Sequence, residues 1–359
     1  MPQGKLEKRA TIRDVARLAK VSDMTVSRVV NNSGPVTPET RRAVVKAIDT
    51  LGYHPNAIAQ SMRQARTRTV GFIIPDLTNI TNAAIAQAIE SEIARAGYQM
   101  LLVSTQSNTD KELAAIQLLK NQRVEGAAIL ISDETSAPVL AAVGKIGVPV
   151  VLLDRDSPLD VDAVLSKHRE PVVDAITYLV TLGHRRIAAV LPPIEIRAGR
   201  LRREGYVAGL TQHGLEVDEG LIVHGAPSVD GGRELALGLL QGTDRPTALI
   251  VGTNQLTLGV MQAVRELNLS VPNDISVIGS DDIVTTSILS PPLTIMWRDM
   301  AVFGHRAAEL LVSRVEGFSG PPRHVVLPTE LILRRSCAPP NAAAPQPPRR
   351  SAKRGTAPR

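Results

Sequence analysis

The sequence predicts two fold classes in one chain: a small all-α helix-turn-helix unit at the N-terminus, then a larger α/β body built on parallel sheets. Three observations predict it. A chain of 359 residues and 38.4 kDa is too long for one ordinary domain. Its charge is divided: residues 1–68 carry +8, residues 69–333 carry −9 and residues 334–359 carry +7, within a total of +6. Its apolar residues recur every three or four positions near the N-terminus, then shift to short β-branched runs separated by helix-length stretches.

Composition narrows the function classes. A hydrophobic content of 43% and a mean hydropathy of +0.03 fit a soluble globular protein with a sizeable core. The longest charge-free window, 246–264, contains Pro246, Gly252, Thr253, Asn254 and Gln255. It reads as a buried strand and helix rather than a membrane span. The first ten residues have no apolar run behind their charges, so no secretory signal is expected and the chain is placed in the cytoplasm. The single cysteine, Cys337, excludes an intramolecular disulfide framework and a multi-cysteine zinc site. Aromatic residues make up only 2%, which argues against a base-stacking RNA platform.

The elements follow in order. Residues 1–10 form a flexible arm. Thr11 and Asp14 resemble a capping box, and Ile12, Val15, Ala16 and Ala19 form one face of a first helix. Lys20-Val21-Ser22 breaks it, and Ser22 can cap a second helix with Val26, Val29 and Val30 inside. Asp23, Met24, Ser27, Arg28 and Asn31 are left outside. Thr37-Pro38-Glu39 starts a third helix whose core face is Val44, Val45, Ile48 and Leu51. Two short helices, a tight turn and a polar outer face make a helix-turn-helix, and the +8 balance makes nucleic acid its first candidate partner.

Beyond the basic segment, strand-like runs fall at 70–74, 100–104, 127–132, 148–153, 187–191, 221–224, 249–251 and 275–278. Helix-length stretches fall at 82–96, 111–121, 171–182, 200–213, 230–241 and 254–267. This is the signature of βαβ units. The alternation alone does not choose between one large sheet and two lobes. The segment 335–359 is basic and proline-rich with almost nothing to bury, and is expected to be disordered.

The strings TIRDVARLAKVSDMTVSRVVN, TPETRRAVVKAIDTLGYHPNAIAQSMR and VGFIIPDLTN resemble the lactose-repressor (LacI/GalR) family of bacterial transcription regulators. TLGHRRIAAV, GRLRREGYVAGL, LNLSVPNDISVIGSDD and SPPLTIMWRDM agree, so the resemblance spans about 11–333. It implies a DNA-binding domain at 11–55, a hinge helix and linker at 56–68, and an effector-binding and dimerisation domain at 69–334. That domain would resemble periplasmic sugar-binding proteins, with two Rossmann-like lobes joined by three crossovers. Lobe one would be 69–165 and 297–324; lobe two would be 166–294 and 325–334.

The resemblance implies a homodimer that reads a palindromic operator in double-stranded DNA, most simply as a repressor, and answers to a small-molecule effector. Helix 23–31 would enter the major groove. Asp23 and Met24 match the variable base-reading positions, and Arg28 matches an arginine suited to guanine O6 and N7. Asp23 has two readings, acceptance from cytosine N4 or capping of its own helix. Thr11, Thr25, Ser27, Asn31 and Thr37 match phosphate-contacting positions. Tyr53-His54-Pro55-Asn56 opens the hinge helix, Asn56 within it. Ala59 is the small residue where two hinge helices would meet, and Met62 stands where the family inserts a leucine into the minor groove. The tail has no leucine after Cys337, so the family's leucine-heptad tetramer device is not expected.

The effector cleft departs from the family pattern. The aromatics that many relatives place after IPDLTN are replaced by Ile80-Thr81-Asn82, a third aromatic by Pro227, and an Asp-Asn pair by Lys167-His168. Arg202 matches the ligand-gripping arginine and Asp281 the hydroxyl-binding aspartate. Asp154 and Asn254 match cleft positions, as do Thr81 and Asn82. Arg298 replaces a commonly uncharged residue, with two readings: ligand contact or a salt bridge between lobes. The polar set suggests an anionic, hydroxylated effector such as a sugar acid or sugar phosphate; neutral sugars, nucleosides and no effector are the alternatives.

Two rival functions are weaker. No dinucleotide fingerprint, phosphate-binding loop, nucleophile elbow or metalloprotease motif is present, so no catalysis and no cofactor are expected. His213 and His224 lack metal-ligand spacing, and His184 reads as structural. A solute-binding protein without DNA function would share the middle domain but not the helix-turn-helix. Met62→Ala is expected to keep the fold and the dimer while strongly weakening specific operator binding; an unchanged gel-shift titration would remove minor-groove insertion from the account.

Overall fold

The computed structural model describes residues 10–31, 33–53, 66–281 and 284–341. It divides into two units, Met1–Thr67 and Arg68–Arg359, each described by itself.

The first unit holds α1 (Ile12–Ala19), α2 (Asp23–Val30) and α3 (Pro38–Leu51). Each start is fixed by a side chain. The Asp14 carboxylate accepts from the Thr11 N–H at 3.0 Å, the Ser22 hydroxyl from Thr25 N–H at 3.2 Å, and the Thr37 hydroxyl from Thr40 N–H at 3.3 Å. Val15, Val26 and Val44, one from each helix, are fully buried and meet Ala16, Val29 and Ala47. Each such valine contributes about 1.5–2 kcal/mol, which is what a three-helix unit of this size has to hold it. Val45 and Leu51 do not join this core; they are 46% and 36% exposed, and Ala47 takes the inner position. Val45 lies roughly 100° round the helix from Val44, off the inward stripe.

The second unit holds two six-stranded sheets. The first is built from β1 (Thr69–Ile74), β2 (Gln99–Ser104), β3 (Ala127–Ile129), β4 (Val150–Leu153), β5 (Asp162–Ser166) and β11 (His324–Leu327), in the order β11-β5-β4-β3-β1-β2. The second is built from β6 (Ile187–Leu191), β7 (Ile222–His224), β8 (Ala248–Val251), β9 (Ser276–Ser280), β10 (Thr294–Trp297) and β12 (Glu330–Ile332), in the order β12-β10-β9-β8-β6-β7. All pairings are parallel except β10 with β12.

Helices cover both faces of each sheet. In the first, α4 (Ile80–Arg95) and α12 (Met300–Val315) lie on one face, α5 (Thr109–Asn121) and α6 (Ala137–Gly144) on the other. The alternation of β1 feeds both: Val70, Phe72 and Ile74 meet Ile89 and Phe303, while Ile73 meets Leu119 and Val139. Gly304 lets α12 approach α4, since a Cβ there would stand 2.6 Å from the Cβ of Ala88. In the second sheet, α7 (Arg169–Thr181) and α8 (Arg197–Gln212) oppose α9 (Val229–Leu240) and α10 (Asn254–Glu266). A short α11 (Val284–Ile288) precedes β10.

The structure adds to the sequence reading strands β10, β11 and β12 and helices α6 and α12, and differs from it in further details. Strand β5 has no counterpart there, because it opens on a charged residue; Asp162 is buried by ion pairs to Arg314 and Arg323 at 2.6 and 2.7 Å. Strand β11 pairs with β5, so 325–327 belong to lobe one rather than lobe two, and the last crossover falls after Leu327. The expected disordered segment begins too early. Ser336 is fully buried, its hydroxyl donating to the Val277 carbonyl and accepting from Thr294 N–H at 2.8 Å. Ala338 N–H donates to Ser276, and the Ala338 carbonyl lies 2.9 Å from Nε2 of His184. Composition counts apolar side chains; it misses a short segment whose backbone completes a hydrogen-bond network. The rest of that tail, from residue 342, lies outside the described residues.

Ser336→Ala leaves the buried Thr294 N–H without its partner and is expected to cost about 1–3 kcal/mol. A lower urea midpoint for the wild-type-like transition checks this; an unchanged midpoint would show that the segment contributes nothing.

Candidate functional site

In the first unit the predicted groove face is open. Met24 is 64% exposed and Arg28 is exposed, while Val26 and Val29 point inward. Ser22 caps α2, so Asp23 does not; its carboxylate stands in the first turn, 3.7 Å from the Arg13 guanidinium. Of the two readings of Asp23, capping is therefore removed. Thr25 Oγ1 lies 2.9 Å from Ser22 Oγ, and Asn31 donates to Ser27 at 3.1 Å. Thr11 and Thr37 stand exposed at the N-termini of α1 and α3, where free N–H groups favour an anion. Tyr53 does not stand free: it packs half-buried against the three-helix core. Asn56, Ala59 and Met62 lie outside the described residues.

In the second unit the carboxyl ends of the two sheets face a shared cleft, the place where α/β sheets take ligands. The structure brings all seven cleft candidates around one cavity of about 120 Å³: Thr81, Asn82, Asp154, Arg202, Asn254, Asp281 and Arg298. Each is aimed by a sheet end or a helix start. Asp154 follows β4 and Asp281 follows β9, both with left-handed backbones at φ 50° and 60°. Asn254 opens α10, and Arg202 lies one turn into α8. Gly199 lets that helix begin against the preceding turn, since a Cβ there would meet the Pro193 carbonyl at 2.0 Å.

Arg298 sits on the crossover between β10 and α12 and ties the lobes together. Its Nε and Nη2 donate to the two oxygens of Asp281 at 2.8 and 3.1 Å, and its Nη1 to Asp154 at 3.0 Å. The interlobe salt bridge is thus the reading that the geometry realises. Burial opposes its charge, but Asp281 and Asp154 outweigh that and raise its pKa further. Asp154 is buried too; His168 and Arg298 hold its carboxyl well below the usual range. The lobes are joined at the rim as well: Asn254 donates to Asn79 at 2.9 Å, Gln255 to Asp76 at 3.0 Å, Arg197 to Asp156 at 2.6 Å, and Arg200 pairs with Glu134 and Asp156.

Two groups are left over. The Arg202 guanidinium, 3% exposed, makes no side-chain hydrogen bond or ion pair among the described residues. Burial, and then the neighbouring Arg298, push its pKa down to about 10 against the raising pull of Asp281 and Asp154, so it stays charged at neutral pH. The Oδ1 of Asn254 is a buried acceptor without a partner. With three arginines against two aspartates in the lining, the cavity carries an excess positive charge.

Sequence reasoning missed Arg155 and Asn79, and saw His168 only as a departure from the family's Asp-Asn pair without giving it a role. The imidazole of His168 is buried, with Nε2 at 3.0 and 2.9 Å from the two oxygens of Asp154. Arg155 turns back into lobe one, donating to the Ile131 and Asp154 carbonyls. Only the charged string LLDRD beside a strand hinted at it. Among the described residues no group of His, Cys, Asp or Glu could hold a metal ion, and no helix is long and apolar enough to cross a membrane.

A helix-turn-helix joined in one chain to a two-lobed cleft of this kind defines a DNA-binding transcription regulator with an effector-binding domain. The chain belongs to the lacI family of bacterial regulatory proteins, whose model matches residues 11–56, while a periplasmic binding protein-like domain matches 176–337. It is 35% identical over 328 residues to catabolite control protein A of Priestia megaterium, covering 91% of this chain and 98% of that protein. It is 34% identical over 309 residues to the ribose operon repressor of Escherichia coli strain K12, covering 85% and 93%. The solved structure of the lac repressor dimer bound to operator and the anti-inducer ONPF superposes with a TM-score of 0.82 at 30% identity, over 92% of this chain and 100% of that one.

Burial drives the His168 pKa down to about 4, against the raising pull of Asp154. A histidine held neutral in the fold stabilises it fully above its ordinary value of 6.5, and that stability is lost as pH falls from there toward 4. His184, also pushed down by burial, acts in the same direction. Thermal midpoints measured from pH 7 to 4 are therefore expected to fall, and His168→Gln to fall less steeply; equal slopes would take His168 out of the linkage.

Proposed function

We propose that this chain represses transcription as a homodimer on a two-fold symmetric operator and is released or retained by a small, hydroxylated anion bound in the interlobe cleft. The DNA half of the reading rests on α2, whose Asp23, Met24, Ser27 and Arg28 stand outward from a helix fixed by Ser22. A dimer supplies two such helices for two half-sites. Thr11, Thr25, Ser27, Asn31 and Thr37 are the proposed phosphate contacts, and the hinge segment 56–63, with Ala59 at the dimer axis and Met62 as wedge, carries the proposed coupling to the sensor.

One observation carries the effector half: a buried, charged Arg202 guanidinium with no hydrogen-bond partner among the described residues, lining the same cavity as the unpartnered Oδ1 of Asn254. Asp281 and Asp154 act on this guanidinium only through space; leaving its N–H groups unbonded in a buried site is costly, and an oxygen-rich anion repays it with a forked pair of hydrogen bonds. The Asn254 acceptor asks for a donor, which a hydroxyl supplies. Structural relatives are described with ligands of the hydroxylated kind: a regulator CelR with cellobiose and a regulator from Enterococcus faecium with ribose. The charge of the lining shifts this chain from neutral sugar toward sugar acid or sugar phosphate. The relatives are regulators, and we extend that reading to a non-catalytic protein working in the cytoplasm on the same footing.

The test starts with operator selection from random duplex DNA, followed by anisotropy titrations of the selected site with and without aldonates and sugar phosphates. An anion is expected to change operator affinity by about 5- to 150-fold, the usual range of such coupling. Arg202→Gln is expected to erase that change and leave effector-free operator affinity intact. Failure to select any site overturns the DNA half; an anion effect that survives in the variant overturns the role of Arg202.

A further inference from the structure

The two aspartates of the cleft occupy equivalent places in the two lobes. Asp154 follows the third strand of the first sheet's order and Asp281 the third strand of the second's. In both, a left-handed backbone turns the carboxylate into the cleft. Such a pair, left open, offers four oxygen acceptors to the hydroxyls of a neutral ligand. Here each of the four already accepts at least one charge-assisted or backbone hydrogen bond. Asp281 gives one oxygen to Nε and the other to Nη2 of Arg298. Asp154 takes the Ser166 N–H on one oxygen at 3.0 Å and Arg298 Nη1 on the other, with His168 bridging both. Arg298 itself is anchored at the crossover and so reaches both lobes without leaving its place.

We infer that Arg298 sets the effector class: it fills the hydroxyl-accepting positions of the cleft with a tethered guanidinium, which leaves Arg202 as the recognition group and restricts the site to an anion. This deepens the effector reading above and rests on it. The chemistry is selective in both directions. A neutral sugar must compete with a forked, buried ion pair before its hydroxyls reach the two carboxylates, whereas an anion binds Arg202 without disturbing Arg298. The small cavity agrees, since the Arg298 side chain itself occupies the space between the two carboxylates.

The experiment is calorimetric titration of full-length wild type, Arg298→Gln and Arg202→Gln with a panel of aldonates and their matched neutral aldoses. Wild type is expected to favour at least one aldonate over its aldose by tenfold or more. Arg298→Gln is expected to gain binding of a neutral aldose by about tenfold, because both Asp281 oxygens are released and Asp154 loses its bond from Arg298. Removing one partner of a buried ion pair destabilises a fold, so thermal melts accompany each variant. If Arg298→Gln does not fold, Arg298→Gln/Asp281→Asn replaces it, removing the stranded charge while keeping an amide acceptor. No gain for any aldose in the folded variant overturns the assignment of Arg298. Aldonate binding that persists in Arg202→Gln overturns the underlying site instead, and a panel that binds none of the proteins overturns both.

Discussion

Arg298 lies between two buried aspartates that end equivalent strands of different sheets, and three charges in so little water are tolerable only together. Desolvating an ion costs several kcal/mol even after the protein relaxes, so each member depends on the geometry of the others. That geometry in turn depends on the fold. The aspartates need left-handed turns at the sheet ends, and Arg298 needs the crossover that carries the chain from one lobe to the other. His168 and Ser166 complete the set by filling the remaining faces of Asp154. The relative placement of the lobes is thus bound to a handful of charge-assisted hydrogen bonds, reinforced at the rim by Arg197, Arg200, Asn254 and Gln255.

Such a cleft can act as a switch because its halves are rigid and its joint is polar. Each lobe has apolar cores on both faces of its sheet and resists deformation. The interface between lobes is instead built of exchangeable pairs. A ligand that competes for one partner changes which lobe arrangement is favoured by as much as its differential affinity, and no more. The Arg202 guanidinium, which makes no hydrogen bond among the described residues, and the unpartnered Oδ1 of Asn254 are points where an added molecule gains, which is why the proposed effector is anionic and hydroxylated.

The helix-turn-helix unit has a different economy. Six buried small residues hold it, and caps rather than core area fix where its helices begin. Keeping the core thin leaves the outer side of α2 free of structural duty. Asp23 illustrates the point: with Ser22 serving as cap, its carboxylate is held only by a loose, exposed pair with Arg13. Such a pair contributes little to stability, so the residue is free to serve recognition.

The sequence by itself determined the periodic elements. Caps, β-branched runs and helix faces are local properties, so the three N-terminal helices, most strands and the charge division into three segments were legible before any coordinates. The seven cleft residues were legible only through resemblance, since Thr81, Asp154, Arg202 and Arg298 are scattered over more than half the chain and nothing local links them. Tertiary structure alone decided what pairs with what. It made Asp162 a buried strand residue through two distant arginines, assigned 325–327 to the first lobe by pairing with β5, and drew Ser336 out of a polar tail into the second sheet. It also chose the interlobe bridge for Arg298 and left the Arg202 guanidinium without a hydrogen-bond partner among the described residues. The physical reason is that backbone and side-chain polar groups are stable when buried beside partners, and partners distant in sequence meet only when the chain has folded; Arg202 is the exception that leaves room for a ligand.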